Sequence, residues 1–347
     1  FSGGMIGLRT TGQAYFDNVV VGGVLSDSMF RSTSWIRSPS TGRWSILTKR
    51  QYGTHGDGNR GGGAARHLAS LSSMEGRIDG DYLLVFSKMP DGNPSGDIGY
   101  FVDDDEDRSQ YIVSADPGEG FIHIYKLNPD GDDFDQSVSL PGHSDGLISR
   151  IDCSPQGIRC YSVNGKYNME APTLLKFNGY YYLFGSGVSG WFPNQQQYSY
   201  AKSLQGPWAK AQKIGDASGY HSQLFFVRVI NGTKEQSHLF SATRNGQLWG
   251  GPSTQVHLPM YKNNPESTPE EDFRWSTNYY DYVTINHTTG EVKGHHYNIG
   301  TLLPLQGVTA AYSNGVNVPE NVLDGNPSTY WINNNSLASG ELVFDLG

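Results

Sequence analysis

Cysteine is scarce in this chain: two residues, Cys153 and Cys160, among 347. That excludes a small disulfide-built scaffold. A single pair also cannot supply the four ligands of a structural zinc site. With six residues between them in a polar stretch, the two cysteines leave two readings open. They close a small surface disulfide if the chain is extracellular, or they stay reduced thiols. Basic residues are also few: 25 Lys and Arg stand against 34 Asp and Glu, for a formal charge of −9. A nucleic-acid partner would need a basic stripe, so that class is set aside. No apolar run reaches the length of a bilayer span, so no membrane-crossing helix is expected. The chain opens at Phe1 in mid-pattern rather than at Met, and reads as part of a longer polypeptide whose leader cannot be judged from it.

Glycine and aromatic residues are plentiful, with 44 Gly, 21 Tyr, 15 Phe and 7 Trp. Short β-prone runs separated by Gly-rich turns point to an all-β architecture, a sandwich, barrel or propeller. The clearest local signal is Glu170-Ala171-Pro172-Thr173-Leu174-Leu175-Lys176-Phe177, then Asn178-Gly179, then Tyr180-Tyr181-Tyr182-Leu183-Phe184. Asn-Gly between two apolar runs predicts a two-residue β-hairpin, with Glu170 at its mouth. Strands are also predicted at Asp97 to Val102, Gln110 to Ser114 and Phe121 to Leu127, the last half-buried by its alternation. Asp103-Asp104-Asp105 reads as a solvated turn, where calcium is not expected. Residues 24 to about 90 are the least readable: a Gly-rich loop over 53–63, a short helix over 64–74 and a strand from Asp81 to Phe86. Three N-x-Ser/Thr sequons, at Asn231, Asn286 and Asn334, fit a secreted glycoprotein, although such triplets arise readily by chance.

Several ordered motifs go together. They are the Glu170 hairpin, Ser186-Gly187-Val188-Ser189-Gly190-Trp191-Phe192-Pro193-Asn194, Gly206-Pro207-Trp208 and Tyr220-His221-Ser222-Gln223. Upstream, Phe101-Val102-Asp103-Asp104-Asp105 precedes Ile122-His123-Ile124-Tyr125-Lys126-Leu127-Asn128-Pro129-Asp130. This series resembles glycoside hydrolase family 43, and within it the branch of exo-β-1,3-galactanases. The resemblance implies a five-bladed β-propeller over residues 95–305, with 24–94 a linker or a divergent first blade that reads as incomplete. In this reading Gly206-Pro207-Trp208 is a strand of the Glu170 blade. Phe273-Arg274-Trp275 joins Tyr279 to Val292 in the last blade. Residues 1–23 resemble the closing strands of a concanavalin-like sandwich, and 306–347 the opening half of a discoidin-like module.

The family's chemistry is glycoside hydrolysis by inversion. It needs a protonated acid at the leaving oxygen and a group on the opposite face that activates water, roughly 6.5–9.5 Å away. The resemblance implies Glu170 as general acid and Asp97 as the carboxylate that raises its pKa and orients it. Most family members take their base from an Asp of the first blade, and no such pattern is found here. In the galactanase branch the Gln of the Ser-Gln pair, here Gln223, stands where water must be activated. An amide is a poor base, so positioning of water is the easier role. Trp191, Ser189, Asn194 and Asn168 are the implied sugar-binding residues, the indole serving as a platform for a pyranose face. Trp208 is expected to be structural packing.

No cofactor and no metal are implied. The expected partner is a polysaccharide, the β-1,3-galactan side of arabinogalactan, met outside the cell. Two other readings stay open: a non-catalytic carbohydrate-binding propeller, and a family 43 arabinofuranosidase or xylosidase.

Overall fold

The computed structural model describes residues 28–52, 66–116, 120–163, 165–190, 192–244, 254–297, 309–313 and 341–345. Among these residues the chain is all-β, with 22 strands and one 3-10 turn, Pro90–Gly92. The sandwich-like tail expected over 1–23 and the Gly-rich loop over 53–63 lie outside the described residues.

The chain divides into two compact units. The first holds Phe1–Cys160, Lys166–Phe184 and Ser199–Ala211, and the second holds the remainder. In the first unit, β1 (Ser28–Arg37), β2 (Trp44–Tyr52), β3 (Arg66–Ser73) and β4 (Tyr82–Lys88) form an antiparallel meander in sequence order. The stretch least readable in sequence is thus a four-stranded sheet. The helix expected over 64–74 is a strand: Leu68 and Ala69 are fully buried, and β3 pairs with β2 on one side and β4 on the other. Backbone pairing on both edges outweighs the Leu/Ala-rich composition that suggested a helix.

The second meander runs β5 (Ile98–Val102), β6 (Gln110–Ala115), β7 (Phe121–Lys126) and β8 (Leu147–Asp152). Every residue of β6 is buried, and so are the middle four of β7. β7 is therefore not the half-buried strand its alternation suggested. Ile36, Leu47 and Leu68 of the first sheet pack on Ile112, Tyr125 and Leu147 of the second. On its other face Val113, Ile122 and Ile124 pack against Leu174 and Leu183. A sheet covered on both faces buries both side-chain rows, the stacking that propeller blades use.

His123 on β7 is fully buried, and neither ring nitrogen has a hydrogen-bond partner. Burial pulls its pKa down to about 4. The folded state therefore holds this ring neutral at a pH where the unfolded chain, near 6.5, already takes up a proton. The stabilisation is complete above pH 6.5 and declines as pH falls toward 4. The expected loss is about 3 kcal/mol at full effect. Urea midpoints measured from pH 7 to 4 should fall less steeply in His123→Leu than in the parent; parallel curves would show that His123 contributes nothing to acid lability.

After the two-residue strands β9 (Ser162–Val163) and β10 (Lys166–Tyr167), β11 (Glu170–Phe177) and β12 (Tyr180–Ser186) form the hairpin expected from sequence. Asn178 and Gly179 both have positive φ, 50° and 77°, as a type I′ turn requires. The sheet continues through β13 (Gln196–Ala201) to β14 (Gln212–Ile214), in the order β11-β12-β13-β14. Gly206-Pro207-Trp208 is not a strand of it but part of the connection between β13 and β14. Trp208 packs against the core and donates to Leu204 O at 3.2 Å.

Cys153 and Cys160 form a disulfide with a Cα–Cα distance of 4.9 Å. It is not at the surface: both residues are fully buried in the cluster around Ile122 and Leu183. Asp103 is likewise not solvated. It is buried and bonded to Lys176 Nζ (2.8 Å) and Tyr181 OH (2.6 Å), which ties the end of β5 to the β11–β12 hairpin.

The second unit contains a fourth meander, β15 (Gln223–Asn231), β16 (Gln236–Arg244), β17 (Thr254–Asn263) and β18 (Arg274–Thr277). Its core includes Leu224, Leu239, Phe240, Leu258 and the edge-on pair Phe273 and Trp275. Trp275 therefore closes this sheet rather than joining the next strands, as sequence spacing suggested. β19 (Tyr282–Asn286) and β20 (Glu291–His295) form a two-stranded sheet, as do β21 (Thr309–Ser313) and β22 (Glu341–Asp345).

Candidate active site

Glu170 is the first residue of β11 and is partly exposed. The start of β11 is held by an unusually close approach of β5. A Cβ on Gly99 would lie 2.1 Å from Pro172 O, so only glycine lets the two backbones meet there. Two residues earlier, Asp97 Oδ2 accepts a hydrogen bond from Ala171 N at 3.3 Å. The two carboxylate-bearing segments singled out in sequence are therefore joined at the peptide that follows Glu170. Ala171 has φ of 48°, a left-handed conformation that costs about 1–2 kcal/mol for a residue with a Cβ. Pro172 next to it adds its own restriction on the preceding residue. The backbone under Glu170 is thus bent and fixed.

Asp97 has a second partner that sequence reading missed. Lys49 Nζ of β2 lies 3.4 Å from Asp97 Oδ1, and the lysine side chain is only 13% exposed. The first sheet thus brings a cation to this place. Its described carboxylates, Glu75, Asp79 and Asp81, all lie in or beside the β3–β4 turn. The signal for Lys49 was absent from the local sequence, because its partner lies 48 positions away.

Asn168, an expected sugar ligand, is buried. Its Nδ2 donates to Asp116 O at 3.3 Å, and its Oδ1 accepts from Met169 N at 2.8 Å. This geometry braces the approach to Glu170.

In the second unit, Gln223 opens β15. Its Nε2 has three acceptors in one loop: Ser189 Oγ (2.9 Å), Gly190 O (3.1 Å) and Phe192 O (2.8 Å). Ser189 Oγ donates to Phe192 O at 2.5 Å and accepts from Asn194 Nδ2 at 2.7 Å. Asn194 closes the loop on Gly187, accepting from its N at 2.8 Å and donating to its O at 3.0 Å. Three of the residues singled out in sequence, Ser189, Asn194 and Gln223, therefore form one network. Ser189 and Asn194 are buried within it and shape the loop. Trp191 lies outside the described residues. The acceptors around Gln223 fix the sense of its amide, nitrogen toward the loop, so the carbonyl oxygen is the end that can receive a proton donor such as water.

The turn before Gln223 is also built. Gly219, Tyr220 and His221 have φ of 57°, 58° and 59°. Asp216 Oδ1 accepts from Tyr220 N (2.7 Å) and Ser218 N (3.0 Å), Tyr220 OH donates to Thr277 O (2.6 Å), and Arg244 Nη2 donates to Tyr220 O (3.2 Å). Burial lowers the His221 pKa.

No protein-family model matches the chain, nor does any curated protein sequence. Solved structures do. An exo-β-1,3-galactanase from Clostridium thermocellum is 26% identical, with a TM-score of 0.61 over 79% of this chain and 54% of its own. An exo-β-1,3-galactanase from Phanerochaete chrysosporium, solved with β-1,3-galactotriose, is 20% identical, with a TM-score of 0.56 over 79% of this chain and 55% of its own. A family 43 β-1,3-galactosidase solved with galactodeoxynojirimycin is 16% identical, with a TM-score of 0.52 over 72% of this chain and 75% of its own. The chain spans about half the length of the two galactanases. Its all-β meanders have the β-propeller fold of these enzymes, and the chain is similar to glycoside hydrolase family 43 and to its exo-β-1,3-galactanase branch.

Proposed function

We propose that this protein is a glycoside hydrolase that releases galactose from the end of β-1,3-galactan with inversion, acting outside the cell. The observation that carries this reading is the built start of β11. Gly99 permits the approach, Asp97 grips the next peptide, and Glu170 is left partly exposed at a fixed position. Glu170 serves as the acid, Asp97 orients it, and Gln223 directs water through its amide oxygen. Lys49 of the first sheet lies against Asp97, its Nζ 3.4 Å from Asp97 Oδ1. Four four-stranded sheets and the β19–β20 hairpin supply strands for five blades. The Cys153–Cys160 disulfide supports an oxidising, extracellular setting. Asn231 and Asn286 are exposed at hairpin ends, where glycans would be tolerated. Asn334 lies outside the described residues.

Incubation with β-1,3-galactan, arabinan and xylan, followed by product analysis, tests the proposal. Galactose from the first substrate alone is expected; arabinose or xylose would move the assignment to another activity, and no sugar from any of them would favour a binding protein.

Asp97→Asn is expected to lower the rate and move the alkaline limb of the pH–rate profile to lower pH. The substitution removes the negative charge that favours the protonated acid. It also leaves Lys49 without its counter-charge. A profile and rate equal to the parent's would reduce Asp97 to a fold residue.

A further inference from the structure

We infer that Gln196 is the positioning residue for Gln223, an inference that rests on the water-directing role proposed above. Gln196 begins β13 and is fully buried. Its Oε1 accepts from Leu224 N at 2.9 Å, and its Nε2 donates to Ser222 O at 3.1 Å. One planar amide thus grips the backbone on both sides of Gln223. The same Nε2 also donates to Asn194 O, the end of the loop that Gln223's own amide binds. Gln223 is therefore held twice, by its side chain on the loop and by its backbone through Gln196, and both holds converge on Asn194.

The turn is shaped around this side chain. A Cβ on Gly219 would lie 2.4 Å from Gln196 Nε2 and 2.5 Å from Asn194 O, so residue 219 must be glycine for Gln196 to reach across. The three successive left-handed residues 219–221 are costly for Tyr220 and His221, which carry a Cβ. Asp216 holds the beginning of that turn and Gln196 holds its end. The neighbouring glutamines do different work. Gln195 Nε2 donates to Gly215 O (2.9 Å), and Gln197 Oε1 accepts from Tyr161 N (2.6 Å), so the Gln195-Gln196-Gln197 run anchors three separate segments. Only the middle one flanks Gln223.

A buried glutamine that merely satisfies backbone groups would stabilise the fold without acting through Gln223. The two roles separate in a double-mutant cycle with β-1,3-galactotriose as substrate. Gln196→Met keeps volume and removes every hydrogen bond. It should lower kcat by roughly 10²-fold, with KM little changed, since misplacement by about 1 Å has that effect. The loss should vanish in a Gln223→Ala background. A second readout needs no turnover. The Gln223 side-chain amide resonances, identified by their disappearance in Gln223→Ala, should lose their protection from hydrogen exchange in Gln196→Met. The same loss should appear in Gln196→Asn, a gentler variant that keeps the amide but shortens its reach. A kcat loss that persists in the Gln223→Ala background, or Gln223 amide protection unchanged in folded Gln196 variants, overturns the inference. If the parent chain leaves galactotriose intact, the proposed function fails, and the exchange measurement still decides the role of Gln196.

Discussion

Glu170→Gln is expected to abolish galactose release from β-1,3-galactan while leaving binding of galacto-oligosaccharides nearly intact. The amide keeps the shape of the carboxyl group at the start of β11 but has no proton to give the leaving oxygen. General acid catalysis contributes about 10²–10⁴-fold, and the loss should lie in that range or beyond it. The fold should not change, because what fixes this position is the backbone: Asp97 bonds the peptide of Ala171, and Gly99 packs under Pro172 O. Calorimetric titration with galactotriose beside a rate assay separates the two effects. Full activity in this variant would remove Glu170 from the mechanism; equal loss of binding and rate would make it a sugar ligand instead.

The largest stability effect is expected at Lys176. Its Nζ is 2.8 Å from Asp103 Oδ1, and the Asp103 side chain is only 4% exposed. Burial pulls the lysine pKa down, but hydrogen bonds to Asp103 and Asp104 outweigh it and raise the value. Tyr181 OH holds the other oxygen of Asp103 at 2.6 Å, and its own pKa is pushed up to about 12 by burial and by that carboxylate. Lys176→Met would leave a buried carboxylate without its cation. Removing one partner of a buried pair costs about 3–5 kcal/mol. Urea unfolding of the variant should show a loss of that size. A loss under about 1 kcal/mol, the range of a surface pair, would mean that Asp103 is sufficiently held by Tyr181 and its own turn.

What was legible in the sequence was local. Asn178-Gly179 gave the hairpin and so the place of Glu170, because a type I′ turn selects those two residue types wherever it occurs. Ser189, Asn194 and Gln223 were also marked, and the structure joins them. The roles of Ser189 and Asn194 were less legible than their positions: both were expected on the sugar, and both are buried in the loop that Gln223 binds. Long-range partners left no trace. Asp103 looked like a solvated turn because Lys176, which pairs with it, lies 73 positions away. Lys49 and Gln196 were overlooked for the same reason. The first sheet was unreadable because much of its interior is small and polar. Ser45, Ser70, Ser72 and Ser73 are all buried there, so the alternation of apolar and polar residues that marks a strand is blurred.

The central claim is the proposal that this chain hydrolyses β-1,3-linked galactose by exo attack with inversion, Glu170 serving as the acid. Proton NMR of the first minutes of reaction on β-1,3-galactotriose tests it most directly, since the anomer formed is seen before mutarotation mixes the two. The expected result is α-galactose released together with the disaccharide, and no such signal from the Glu170→Gln variant. Release of β-galactose, or of no sugar at all, would contradict it.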